Sequence, residues 1–184
     1  MTFEIAPIVE GHGDVAALPV LLRRLAPELH VKRPVRFPRS RLLIDEHLNR
    51  AARIAASNIS MSGAVLLMID ADEDCAARLG PQLEQRLARL LPQTMCRVVL
   101  PVKEFEAWIV GGDSEFDIED ADCTGDLKGL IRERRGEYSE AVDQPRLIAN
   151  ARIELLARRS RSFRRLQAVV REFQQAASIE SQTP

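Results

Sequence analysis

The run "AVLLMI", Ala64 to Ile69, constrains this 184-residue chain more than any other feature. A strand with one wet face alternates apolar and polar residues. An unbroken apolar run implies cover on both faces, the condition of a strand inside a parallel sheet. The run ends abruptly in acid, "DADED", which carries Asp70, Asp72, Glu73 and Asp74. A second short run, Phe3 to Val9, ends the same way at Glu10, with Gly11 and Gly13 just beyond it. Cys96 to Val102 reads as a third strand.

Helical spacing fills the gaps between these runs. Asp14 can cap a helix in which Val15, Leu18, Leu21, Leu22 and Leu25 recur, up to about Leu29. Asp45 to about Ile59 and Cys75 to Leu91 repeat the pattern. The segment "RPVRFPRS" holds two prolines and reads as a loop or an edge strand. The order β-α-(loop)-α-β-α-β predicts an α/β fold: a Rossmann-like open, mostly parallel sheet with helices on both faces, spanning residues 1–112. "KEFEAWIVG" closes it as a short helix stopped at Gly111. Residues 113–126 read as an acidic surface loop. Residues 127–178 form a C-terminal helical extension packed on the core. Its helices run about Gly125 to Arg135, Pro145 to Arg158 with proline in the first turn, and Ser162 to Ala177 capped by Ser162. Residues 179–184 read as a tail.

In open α/β sheets, sites form at the carboxyl ends of the strands. If the first two strong strands are neighbours, Glu10, Asp70 and Asp72 converge on one edge. Crowded carboxylates need protonation or a cation. Oxygen donors without His or Cys favour Mg2+, then Mn2+, over Zn2+. In extended backbone Asp70 and Asp72 point the same way, toward one ion or an adjacent pair. Gly11 and Gly13 would let a phosphate or a metal-bound water approach the backbone beside the next helix. Taken singly, Glu10 is equally readable as a turn residue. Glu104 and Glu106 follow the third strand, and either a metal role or a helix-start role suits them. Glu106 is the better candidate of the two. His12 can shuttle a proton or simply sit in solvent.

A strand ending in "VEG" before a helix, and a later apolar strand ending in "DAD", together resemble the TOPRIM domain of topoisomerases, primases and overcoming-lysogenization-defect nucleases. The segments "VKEFEAW" and "SRSFRRL" are similar to a bacterial TOPRIM-like family of unknown function. The motif resemblance covers about residues 3–110. It implies a Mg2+-dependent site for phosphoryl transfer on nucleic acid. Glu10 would be the general acid/base or a metal ligand, Asp70 and Asp72 would bind metal, and Asp74 could serve a second ion. The chain departs from the pattern where Glu73, Asp74 and Cys75 follow the DxD. It also has no tyrosine placed as a topoisomerase nucleophile. Hydrolysis is the chemistry that remains; a non-catalytic module that assembles with a protein partner in a defence or repair system is the alternative.

Charge distribution bears on the substrate. Val31 to Arg41 carries five basic residues and no acid, including Arg33, Arg36, Arg39 and Arg41. Arg161, Arg164 and Arg165 crowd a helix junction. All seven arginines are candidate nucleic-acid contacts. Aromatics are 4% of the chain, which disfavours base stacking on aromatic platforms. The three cysteines show no metal or disulfide spacing, and no secretion signal is visible, so a cytoplasmic location is expected. No apolar run approaches membrane-spanning length, so no membrane role is expected.

Overall fold

The computed structural model describes residues 2–181. Five parallel strands form one sheet: β1 (Glu4–Val9), β2 (His30–Val31), β3 (Val35–Arg36), β4 (Gly63–Met68) and β5 (Met95–Val99). β1 and β4 lie side by side, with Val9 level with Met68. β5 flanks β4 on the far side. β2 pairs with the first half of β1 and β3 with its second half. The proline-bearing segment is therefore an edge strand broken at residues 32–34, where Pro34 cannot donate to a ladder.

Alternate strand residues feed two separate cores. Ala6, Ile8, Val65, Leu67 and Val98 face one layer. There they meet Leu42 of α2 (Arg39–Leu42), Leu48 and Ala52 of α3 (Asp45–Ser57), and Leu83 and Leu87 of α4 (Ala76–Leu90). Ile5, Val9, Leu66 and Val99 face the opposite layer. That layer is built from α1 (His12–Leu25), α5 (Glu106–Gly112), α6 (Leu127–Arg135), α7 (Glu140–Asn150), α8 (Ile153–Arg159) and α9 (Arg161–Ser181). Cover on both faces explains the unbroken "AVLLMI" run. Truncating one such residue, for example Leu67→Ala, would cost about 2–5 kcal/mol.

Several local expectations change. The helix expected over 145–158 is two helices, and Pro145 lies inside α7 rather than in its first turn. α5 does not stop at Gly111; it runs through Gly111 and Gly112. A Cβ at Gly112 would lie 2.6 Å from that of Ala151, so these glycines admit close packing. The cap of α9 is Ser160, whose Oγ accepts from Phe163 N at 3.0 Å, and not Ser162. α9 continues through Ser181, so it includes the described part of the expected tail; residues 182–184 lie outside the described residues. The acidic stretch 113–126 is free of helix and strand, yet it is not wholly at the surface. Phe116, Ala121 and Asp122 are buried.

Candidate active site

The register of β1 against β4 brings Glu10 and Asp70 to the same edge of the sheet. One carboxylate oxygen of Glu10 accepts a short hydrogen bond from the backbone N–H of Asp70. Two parallel strands thus stop at the same level, and the side chain of one closes the backbone of the other. Asp14 joins them from the first turn of α1. Its carboxylate accepts from Gly11 N at 2.9 Å, which makes Gly11 the N-cap and Asp14 its partner from within the helix. Glu106, at the start of α5, is 1% exposed. Its Oε1 accepts from the Tyr138 hydroxyl at 2.7 Å and from Gln144 Nε2 at 3.2 Å.

These carboxylates share one electrostatic fate. Burial pushes the Glu10 carboxyl up from 4.5 to about 7, with Asp14 and Asp72 adding to the rise. Burial raises Asp70 well above its ordinary range, and Asp14, Glu10, Glu106 and Asp72 reinforce it. Asp14 and Glu106 are raised too, again mainly by burial. Lys128 approaches from α6, with its Nζ 2.7 Å from Glu140, 3.1 Å from Glu104 and 3.9 Å from Glu106. Burial opposes its charge, but the surrounding carboxylates outweigh burial and raise its pKa.

The "DAD" loop departs from the expected alternation. β4 ends at Met68, and Asp72 adopts a left-handed backbone with φ 50°. Ala71 N bonds to Pro101 O at 2.9 Å, which pulls the loop toward the end of β5. Asp70 and Asp72 therefore do not point the same way as successive outward residues of a strand would. Asp72 is exposed and pairs with Arg39 Nε at 3.3 Å. The same guanidinium bonds Asp70 O at 2.9 Å and Ala71 O at 3.2 Å, and makes a short ion pair with Asp74. Arg39 thus clamps the whole turn. Among the described residues, no three His, Cys, Asp or Glu side chains stand in an arrangement that encloses an ion.

The expected use of the glycines also changes. A Cβ at Gly11 would lie 2.8 Å from Asp14 Oδ2. A Cβ at Gly13 would lie 2.0 Å from Gln144 Oε1 and 2.7 Å from Glu140 O. The space at Gly13 is taken by α7, which docks on the first turn of α1. That docking leaves Gln144 Oε1 as the buried side-chain polar atom with no hydrogen-bond partner among the described residues. An orphaned acceptor oxygen beside buried carboxylates, with no nitrogen or sulfur donor in the set, fits a hard divalent cation or its water ligand. Glu10 and Asp70 would hold such an ion, with Glu106 and Gln144 on the α5–α7 side.

The candidate arginines divide. Arg36 Nη1 reaches Glu10 O at 3.3 Å, and Arg39 lies in the turn itself. Arg33 and Arg41 are exposed beside the edge strand. Arg161 and Arg165 line a groove that also includes Asp74. Arg164 instead bonds Ala157 O at 2.7 Å and Arg158 O at 3.3 Å, closing the C-terminus of α8. His12 is exposed on α1. Sequence reasoning missed Asp14 as a member of the cluster, although its place four residues after Glu10 was a usable signal. It also missed Tyr138, Gln144 and Lys128, which carry no local signal. No helix among the described residues is long and apolar enough to cross a membrane. Compared with known proteins, the chain matches no family profile, no curated protein and no solved structure.

Proposed function

We propose that this chain is a TOPRIM-like, Mg2+- or Mn2+-dependent phosphoryl-transfer protein of the cytoplasm that acts on nucleic acid, as a nuclease. The observation that carries this reading is the β1–β4 register, which seats the Glu10 carboxylate against the backbone of Asp70 at the carboxyl edge of a parallel sheet. A bound divalent ion would polarise a phosphoryl oxygen and lower the pKa of a bound water. Glu10 and Asp70 would hold it, and Asp14, Glu106 and Gln144 back them. Without a bound ion, burial lifts the Glu10 carboxyl to about 7, so binding an ion there would displace a proton from its carboxylate oxygen. Arg36 and Arg39 stand beside that edge, where a phosphate backbone would need cations.

A second reading has its own observation. Arg39 already neutralises Asp72 and Asp74, as it would in a non-catalytic module that works through a protein partner. One experiment separates them. Mg2+ and Mn2+ are titrated calorimetrically into the wild type and into Glu10→Gln/Asp70→Asn, and cleavage of single- and double-stranded DNA and RNA is followed. The enzyme reading expects metal binding and cleavage in the wild type only. No metal binding at millimolar concentrations would sink it; binding without cleavage of any of the four substrates favours the module.

A further inference from the structure

One groove stands apart from the carboxylate cluster and meets it only through Arg39, which bonds both Asp74 in the groove and Asp70 O. It encloses about 670 Å³ along the free edge of β5, between α4 and the start of α9. That volume lies within the range of sites for small organic ligands. Its floor is apolar: Pro81 from α4, with Val98, Leu100 and Val102 from β5 and the turn after it. Its charged lining is mixed, and the acids are already engaged. Asp74 is held by Arg39. Glu84 accepts from Val98 N at 3.1 Å and lies 3.5 Å from Arg165. Arg161 is exposed, and its guanidinium has no hydrogen bond or ion pair to another described residue. Arg165 is 45% exposed and makes only long contacts of 3.5 Å and 3.4 Å with Glu84 and Glu172. The groove therefore offers an apolar floor, an uncommitted guanidinium and a loosely held second one. At its mouth Asp74 lies four residues from Asp70.

We infer that this groove binds one nucleotide of a single-stranded nucleic acid, with the unpaired base against Val98, Leu100 and Val102 and the phosphate on Arg161 and Arg165. The assignment rests on the phosphoryl-transfer reading and adds to it a place for the substrate beside the reacting edge. A duplex does not fit, because its bases are paired and stacked and present no free face to the floor. Aromatic platforms are absent from the groove, so the base is held by apolar contact and the phosphate by charge. Gly80 gives a way to test this without touching charge. It lies on α4 at the groove, and a Cβ there meets only Leu100 Cδ1, at an ordinary 3.5 Å. A larger side chain there extends into the groove, and it raises rather than lowers helix propensity. Cys75 lines the same groove and is exposed, whereas Cys123 is exposed elsewhere.

The test uses a fluorescent single-stranded oligonucleotide of about ten nucleotides, in DNA and RNA forms, with EDTA and separately with Mg2+. Wild type, Gly80→Leu and Arg161→Ala/Arg165→Ala are compared, each checked for unchanged far-ultraviolet circular dichroism. Gly80→Leu is expected to weaken binding at least tenfold without changing its salt dependence. The arginine variant is expected to weaken it and to reduce the slope of log K against log salt by about 0.7, one single-strand phosphate contact. The oligonucleotide is expected to slow alkylation of Cys75 and leave Cys123 unaffected; the duplex is expected to do neither. Undiminished affinity in both variants, no oligonucleotide binding by the wild type, or protection of Cys75 by a mononucleotide but not by the oligonucleotide would each overturn the inference. Mg2+ calorimetry on the same proteins keeps the two readings apart. Normal metal binding with an indifferent groove removes the groove assignment alone, while absent metal binding removes the enzyme reading whatever the groove does.

Discussion

Asp122→Ala should destabilise the protein severely, although Asp122 touches no part of the proposed site. The carboxylate is 2% exposed. It accepts from Ser160 Oγ at 2.8 Å, from Ser162 Oγ at 2.8 Å and from Ser162 N at 2.9 Å. Ser162 Oγ in turn accepts from Trp108 Nε1 at 2.8 Å. One side chain therefore ties the acidic loop to the start of α9 and, through Ser162, to α5. Truncation to alanine strands three donors in a region without solvent. Hydrogen bonds to a charged group contribute about 1.5–3 kcal/mol each, and they are not additive within one network. A total of about 3–5 kcal/mol follows, the range seen when a buried charged partner is removed. Unfolding entropy scales as about 2.1 cal/mol/K per residue, or about 0.39 kcal/mol/K for this chain, so 4 kcal/mol corresponds to a fall in Tm of about 10 °C. Asp122→Asn keeps one acceptor oxygen but places an NH2 group against Ser162 N–H. It should lose about half as much. Thermal melts followed by circular dichroism read both variants. A Tm within 3 °C of wild type for Asp122→Ala would refute the argument that this carboxylate holds the loop.

Three further outcomes follow from the cluster. Without divalent metal, the protein should be more stable at pH 5.5 than at pH 8.5. The folded Glu10 carboxyl titrates near 7 against 4.5 ordinarily, so its contribution is complete below 4.5 and is lost as pH rises through 7; Asp70, Asp14 and Glu106 shift in the same direction. Glu10→Gln should flatten that dependence, and millimolar Mg2+ should reverse it in the wild type; a Tm that rises with pH in EDTA would contradict this. Tyr138→Phe should cost about 1.5–3 kcal/mol in denaturant unfolding, because the buried Glu106 carboxylate loses a donor at 2.7 Å. Gly13→Ala should cost about 1–3 kcal/mol and weaken metal binding, since its Cβ would meet Gln144 Oε1 at 2.0 Å and the backbone of Glu140 at 2.7 Å.

β1 and β4 were readable in the amino-acid order because burial on both faces forces an unbroken apolar run. Their adjacency was readable only as a condition, and the observed register meets it. β2 and β3 were harder to read, since two-residue strands on an edge leave almost no periodic trace. Asp70 and Asp72 showed where extended-strand geometry stops applying. The strand ends two residues before the first acid, and the loop turns left-handed at the second. Ser160 rather than Ser162 caps α9 because the helix already begins at Arg161, where a buried carboxylate forty residues upstream of Ser162 holds both serines, and no local pattern encodes that. The α7 wall of the site was illegible for the same kind of reason. It depends on a missing side chain at Gly13 meeting a glutamine more than a hundred residues later.

The docking of α7 on α1 has a consequence during synthesis. α1 is made before the helix that covers its first turn, α7, which begins at Glu140. At ribosomal rates of about 5–20 residues per second, roughly 6–25 s separate the two. Throughout that interval the nascent sheet can assemble β1 to β5, but its face toward α5–α9 has only α1 as cover. Leu66, Met68 and Val99, all buried in the finished protein, are then accessible to solvent and to holding chaperones. A stalled chain ending before α7 should therefore be retained by such chaperones, and release should follow the emergence of the last helices rather than completion of the sheet.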